Sequence, residues 1–203
     1  MSGSVAKRLF DLLTAALALI LLSPLLLAVA LWVRIDSPGP VFYRQERIGR
    51  HGVPFRIHKF RSMRNDAGGL QLTVGTDPRI TRAGAWMRDR RLDELPQLID
   101  VLQGTMSLVG PRPEVPRYVA HYPAALREQA LSVRPGITDP ASLQHLDEAT
   151  LLAAAADPER EYIEHILPAK LQQAADYAER ATLATDLQVL WRTASARARS
   201  AGG

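Results

Sequence analysis

The sequence predicts an α+β protein, mainly helical, and three observations carry that prediction. No side chain from Leu12 to Val33 is charged. Two short runs rich in aromatic and β-branched residues, Val41 to Gln45 and Pro54 to Phe60, enclose the turn Gly49-Arg50-His51-Gly52. From Arg79 onward apolar residues return at helical spacing, and the last third is rich in alanine. Together they give an N-terminal re-entrant membrane helix-break-helix over residues 1–35, a small β-hairpin, and a mainly helical domain over 36–203 that ends in amphipathic interfacial helices.

The first element is long enough to span a bilayer as one helix. Pro24 argues otherwise, because it lacks an N–H and crowds the carbonyl four residues back, while the Ser23 hydroxyl can bond a freed carbonyl. Broken at Ser23-Pro24, the arms reach only about 18 Å and 14 Å at ~1.5 Å per residue, short of a ~30 Å hydrocarbon core. Lys7 and Arg8 precede the segment, and Arg34, Arg44, Arg47 and Arg50 follow it. Basic flanks stay in the cytoplasm, so both ends belong on one side and the chain dips in and returns. A straight span with a tolerated kink is the alternative. A signal peptide, suggested by Ala28-Val29-Ala30, fails because the apolar run is too long.

Asp36-Ser37-Pro38-Gly39-Pro40 is a rigid exit turn, and the hairpin follows. Lys59 and Arg61 leave its end close together, where a solvated strand edge would account for them. The loop from Asn65 to Gly75 matches no phosphate-binding pattern and is assigned no chemistry. Arg79 to Arg91 is a basic helical stretch with Trp86 and Met87 as packing residues, and it delivers Arg88, Arg90 and Arg91 beside Asp93 and Glu94. These carboxylates precede Leu95, Leu98, Ile99 and Leu102, so they fall at a helix start, where unpaired N–H groups favour anions. Taken alone, Asp93 there is most simply an N-cap. Further on, Pro111 and Pro113 stiffen the backbone around Arg112, which is thereby presented to grip a phosphate, and Arg134-Pro135-Gly136 repeats the device more weakly. Near the end, Leu187, Leu190, Trp191 and Ala194 form an apolar stripe that suits either a head-group layer or the protein's own core.

Composition narrows the chemistry. With 47% hydrophobic residues in 203, the chain can build a real core. The lack of cysteine excludes disulfides, a thiolate nucleophile and cysteine-bound zinc, and the five histidines are scattered rather than paired at ligand spacing. Residues 34–91 carry thirteen Lys or Arg against five acids, whereas 92–203 carry ten against fifteen. The basic half must face something anionic: lipid head groups, a nucleotide diphosphate or nucleic acid.

Lys7-Arg8-x-x-Asp11, Ser23-Pro24, Ser37-Pro38-Gly39-Pro40-Val41-Phe42, Lys59-Phe60-Arg61-Ser62-Met63, Leu92-Asp93-Glu94-Leu95-Pro96-Gln97 and Leu108-Val109-Gly110-Pro111-Arg112-Pro113-Glu114 resemble the bacterial sugar transferase family, the monotopic phosphoglycosyl transferases, over about residues 7–137. The resemblance implies a cytoplasmic catalytic domain on the bacterial inner membrane and a magnesium-dependent, two-step transfer of a phosphosugar. By that analogy Asp93 attacks the sugar-bearing phosphorus of a UDP-sugar and UMP leaves. Polyprenol phosphate then resolves the ester, and Glu94 is the implied magnesium ligand. Lys59, Arg88, Arg112 and Arg134 are the expected phosphate-binding cations. Membrane phospholipid is the expected surroundings, nucleic acid is not an expected partner, and a second copy of the chain stays open. Beyond Thr138 the chain departs from the family, reading Asp139-Pro140-Ala141-Ser142-Leu143 where many members have Gly-Trp. A glycosyltransferase releasing UDP is the rival enzyme, and a basic module binding anionic lipid or nucleic acid is the non-enzymatic rival. The nucleophile assignment fails if the side chain at 93 is buried, or stands far from the arginines and from room for a diphosphate.

Overall fold

The computed structural model describes residues 5–64, 77–139 and 148–201. The loop from Asn65 to Gly75 and the stretch Pro140 to Leu143 fall outside them. The described residues are mainly helical with small sheets.

Helix α1, Val5–Asp36, is one element with Pro24 inside it, not two helices with a break between them. Continuity has a local cause: Pro24 deprives the Ile20 carbonyl of its N–H partner, and the Ser23 hydroxyl donates to that carbonyl at 2.8 Å. By length and composition α1 is apolar enough to cross a membrane. Both of its ends pack on the rest of the protein. Ala15 joins Ile57, Leu98, Val101 and Met106 in one apolar cluster, with Phe10, Ala18 and Leu19 against it. Val29 and Val33 join Phe60, Ala83 and Met87 in another, with Leu26 and Ala30 against it. The stretch 20–25, which holds Ser23 and Pro24, belongs to neither cluster.

The hairpin forms as two ladders. Strands β1, Phe42–Tyr43, and β4, Lys59–Phe60, pair antiparallel, as do β2, Glu46–Ile48, and β3, Pro54–Arg56. The turn between β2 and β3 places His51 at φ 58° and Gly52 at φ 78°, a left-handed pair that glycine eases. Helix α2, Arg82–Asp89, opens with Thr81 accepting from the Gly84 N–H, and Met87 is fully buried as its spacing requires. A 3₁₀ turn, Leu92–Glu94, then leads into α3, Gln97–Gln103.

Strand β5, Ser107–Val109, follows α3, and the short helices α4, Pro116–Val119, and α5, Ala124–Ala130, come next. Strand β6, Gly136–Thr138, pairs parallel with β5. A Cβ on Gly136 would lie 2.0 Å from the Gly110 nitrogen, so the two backbones touch at a point that only glycine permits. Helices α6, Glu148–Ala154, α7, Pro158–Glu161, α8, Leu167–Arg180, and α9, Leu183–Ala201, complete the described chain. Helix α9 divides the two sequence alternatives: Val189 and Leu190 pack inward, while Leu187 and Trp191 face outward.

Candidate active site

The carboxylates sit in the 3₁₀ turn rather than at the head of an α-helix. Arg91, at φ 54°, turns the chain sharply after α2 and stands at the N-cap of the 3₁₀ turn, Pro96 stands at the N-cap of α3, and neither makes a side-chain capping bond. Asp93 is therefore not an N-cap. Its Oδ2 lies 2.8 Å from Lys59 Nζ, which also stands 3.4 Å from Glu94 Oε1. Arg112 closes the group with both terminal nitrogens on Glu94, one of them 3.2 Å from Oε2. Three parts of the chain thus meet: the end of the hairpin, the turn before α3, and the loop after β5.

Charge dominates the site. Burial alone would raise the Glu94 carboxyl, but Arg112 and Lys59 outweigh it and hold Glu94 far below the usual carboxylate range. Arg112 is in turn raised by Glu94, against the opposing effect of burial. The Pro-Arg-Pro loop is fixed from two sides. Gly110 N–H donates to Thr138 O and Gly136 N–H to Pro111 O, while Arg47 Nη1 donates to Pro113 O at 2.9 Å. A small recess, partly open to solvent, borders Arg112, Glu114 and Tyr122, and its lining includes neither Asp93 nor Lys59.

A family model described as bacterial sugar transferase matches residues 2–200. The chain belongs to that family. The match extends well beyond the span 7–137 that carries the motifs. Among similar proteins, the chain is 40% identical over 195 residues to "UDP-glucose:undecaprenyl-phosphate glucose-1-phosphate transferase" of Xanthomonas campestris pv. campestris, covering 94% of this chain and 38% of that protein. It is 43% identical over 163 residues to "UDP-N-acetylgalactosamine-undecaprenyl-phosphate N-acetylgalactosaminephosphotransferase" of Aeromonas hydrophila, covering 78% and 37%. A protein of Caulobacter vibrioides with the same name as the Xanthomonas one is 38% identical over 191 residues, covering 92% and 67%. The chain thus spans well under half the length of the first two relatives.

In this member of the bacterial sugar transferase family, four of the expected side chains come together: Lys59, Asp93, Glu94 and Arg112. Arg134 does not join them. Its Nε donates to Gly104 O just past the far end of α3, where Arg8, Arg50 and Asp11 are its charged neighbours, the whole helix lying between Gly104 and the carboxylates along the chain. Arg88 lies in the last turn of α2, and its field reaches Asp77. Asp93 is only 3% exposed, which meets one of the conditions set against it as a nucleophile. An ammonium on a flexible stem lies against its Oδ2, and that contact can be exchanged for one to a phosphate.

Other key residues drew no functional reading from the sequence. Arg61 is buried, not at a solvated strand edge, and donates to Pro38 O, Ser37 O and Val33 O where α1 ends. Asp11 accepts from Ser107 Oγ at 2.8 Å and from the Leu108 N–H, tying the start of α1 to β5. Lys7 pairs with Asp186, which also accepts from the Tyr177 hydroxyl at 2.6 Å. The signal for Lys7 and Asp11 was present in the Lys-Arg-x-x-Asp pattern and that for Arg61 in Lys-Phe-Arg-Ser-Met, though neither pattern names the partner; Asp186 and Tyr177 had none.

Among the described residues no group of three His, Cys, Asp or Glu side chains stands together to cage a metal. A magnesium ion fits this donor set only if one or two carboxylates are completed by phosphate oxygens and water. Glu94 is held ionised, as such a ligand must be, and its oxygens face Arg112 and Lys59.

Proposed function

We propose that this protein moves a phosphosugar from a UDP-sugar to polyprenol phosphate, with Asp93 as nucleophile. The observation that supports it is one lysine bridging two adjacent carboxylates, with an arginine clamped on the second. Lys59 and Arg112 are both able to trade a carboxylate oxygen for a phosphate oxygen, so donor binding draws the cations off the acids and uncovers Asp93. An Asp93 oxygen then bonds to the sugar-bearing phosphorus, and the bond from that phosphorus to the bridging oxygen breaks. UMP departs with the electron pair. In the second half, an oxygen of polyprenol phosphate attacks the same phosphorus and the Asp93 carboxylate is released. Magnesium, held by Glu94 and the donor's phosphates, would neutralise charge building on the leaving group.

The anchor supports the same assignment. Clusters at both ends of α1 belong to one body, so a perpendicular crossing would separate surfaces that are packed together. That favours entry and exit on a single face, taken as cytoplasmic, with 20–25 deepest in lipid. Of the aromatic residues around the hairpin that could stack on bases, Phe60 is buried and Phe55 packs against the core, while Phe42 and Tyr43 stay exposed, so the nucleic-acid alternative keeps only two of its four.

The test is intact mass after incubation with a UDP-sugar and magnesium, without acceptor. Wild type gains one phosphosugar and releases UMP, and Asp93→Asn gains nothing. Release of UDP instead would establish the rival that transfers the sugar without its phosphate.

A further inference from the structure

A lysine that bridges two acids has to be aimed, and β4 does little of the aiming. The strand is two residues long and Lys59 pairs there with Tyr43 alone. The residue before it is held much harder. His58 N–H donates to Asp100 Oδ2 at 2.8 Å, and His58 Nδ1 lies 2.7 Å from Asp100 Oδ1. Asp100 is fully buried and His58 nearly so. On the other side of the ring, Arg44 Nη1 lies 2.5 Å from Nε2. A guanidinium only donates, so this contact is a hydrogen bond with Nε2 accepting, which puts the ring proton on Nδ1 facing Asp100.

Asp100 belongs to α3, the helix that the turn bearing Asp93 and Glu94 leads into. One short stretch of chain therefore carries both the acids and the grip on the lysine's neighbour. Both oxygens of a single carboxylate hold one residue, through its peptide and through its ring, which fixes the backbone next to Lys59 in orientation as well as position. We propose that His58 and Asp100, with the ring tautomer set by Arg44, are positioning residues that keep the Lys59 ammonium on Asp93 and Glu94.

This proposal rests on reading those acids as the reacting pair, but its first test does not use activity. The chain has three lysines, Lys7, Lys59 and Lys170. Limiting acetylation of the folded protein, read by peptide mass, reports each amine. The expected result is a several-fold faster reaction at Lys59 in Asp100→Ala and His58→Ala, with Lys7 and Lys170 unchanged. Asp100→Asn, which keeps an acceptor for the His58 N–H, should show a smaller rise. Unchanged labelling of Lys59, or a rise shared by all three lysines in every variant, overturns the assignment. With a UDP-sugar, adduct formation at saturating donor should fall by about 10²-fold, the cost of a misplacement of about 1 Å, a larger change than that in donor KM, which Arg112 also sustains. If wild type forms no adduct, the proposed function fails, and the acetylation pattern still decides the positioning role.

Discussion

Replacing Arg61 by methionine should destabilise the protein measurably, and the size follows from its contacts. The guanidinium donates at 2.5 Å to Pro38 O and at 2.6 Å to Ser37 O, with a longer contact of 3.4 Å to Val33 O, and it makes no ion pair among the described residues. Its charge is answered by carbonyl dipoles at the negative end of α1. Two good bonds from a charged donor are worth about 3–6 kcal/mol. Removing the buried charge and its unpartnered Nε returns about 1–2 kcal/mol, leaving a net loss of about 2–4 kcal/mol. For a chain of this size that is about 4–16 °C in melting temperature. Trp32 and Trp86, with ring centroids 5.2 Å apart, lie beside the affected cluster and report it by fluorescence during a thermal scan in detergent. A methionine variant melting within about 2 °C of wild type would refute the assignment of Arg61 as the clasp on α1.

Further outcomes follow from other contacts. Because Glu94 is held below the usual carboxylate range, its pairing stabilises the fold fully above the unfolded value of about 4.3 and fades as pH falls toward the depressed folded value. Wild type should therefore lose part of its melting advantage over Glu94→Gln as the buffer is taken from pH 6 to pH 3; a constant difference contradicts this. Gly136→Ala drives a methyl into the Gly110 backbone and should fail to accumulate as folded protein, measured by size-exclusion recovery. Ser23→Ala leaves the Ile20 carbonyl without the hydroxyl that now meets it, and should cost about 1–3 kcal/mol in a lipid-embedded melt.

Short-range pattern made much of this site legible. Asp93, Glu94, Lys59 and Arg112 stood out because each lies in a compact charged or proline-framed motif, and those motifs converge. What stayed hidden depends on burial and on partners far along the chain. His58 and Asp100 are 42 residues apart, Asp11 and Ser107 are 96 apart, and no periodicity announces such a pair. Arg134 shows the opposite failure: β5 and β6 do bring its proline loop against that of Arg112, yet its side chain runs to Gly104. Pro24 removes one helix bond and Ser23 supplies another, both legible in the sequence, yet α1 runs on through them as one helix rather than breaking there.

The two clasped ends of α1 also work as a depth gauge. On the proposed placement, with the apolar middle of α1 in lipid and both feet packed on the rest of the protein, the protein could neither sink nor ride up without tearing a cluster open. Asp93 would then keep one height above the hydrocarbon, level with the phosphate of the proposed lipid-borne acceptor, and the search for a partner would shrink from a volume to a plane.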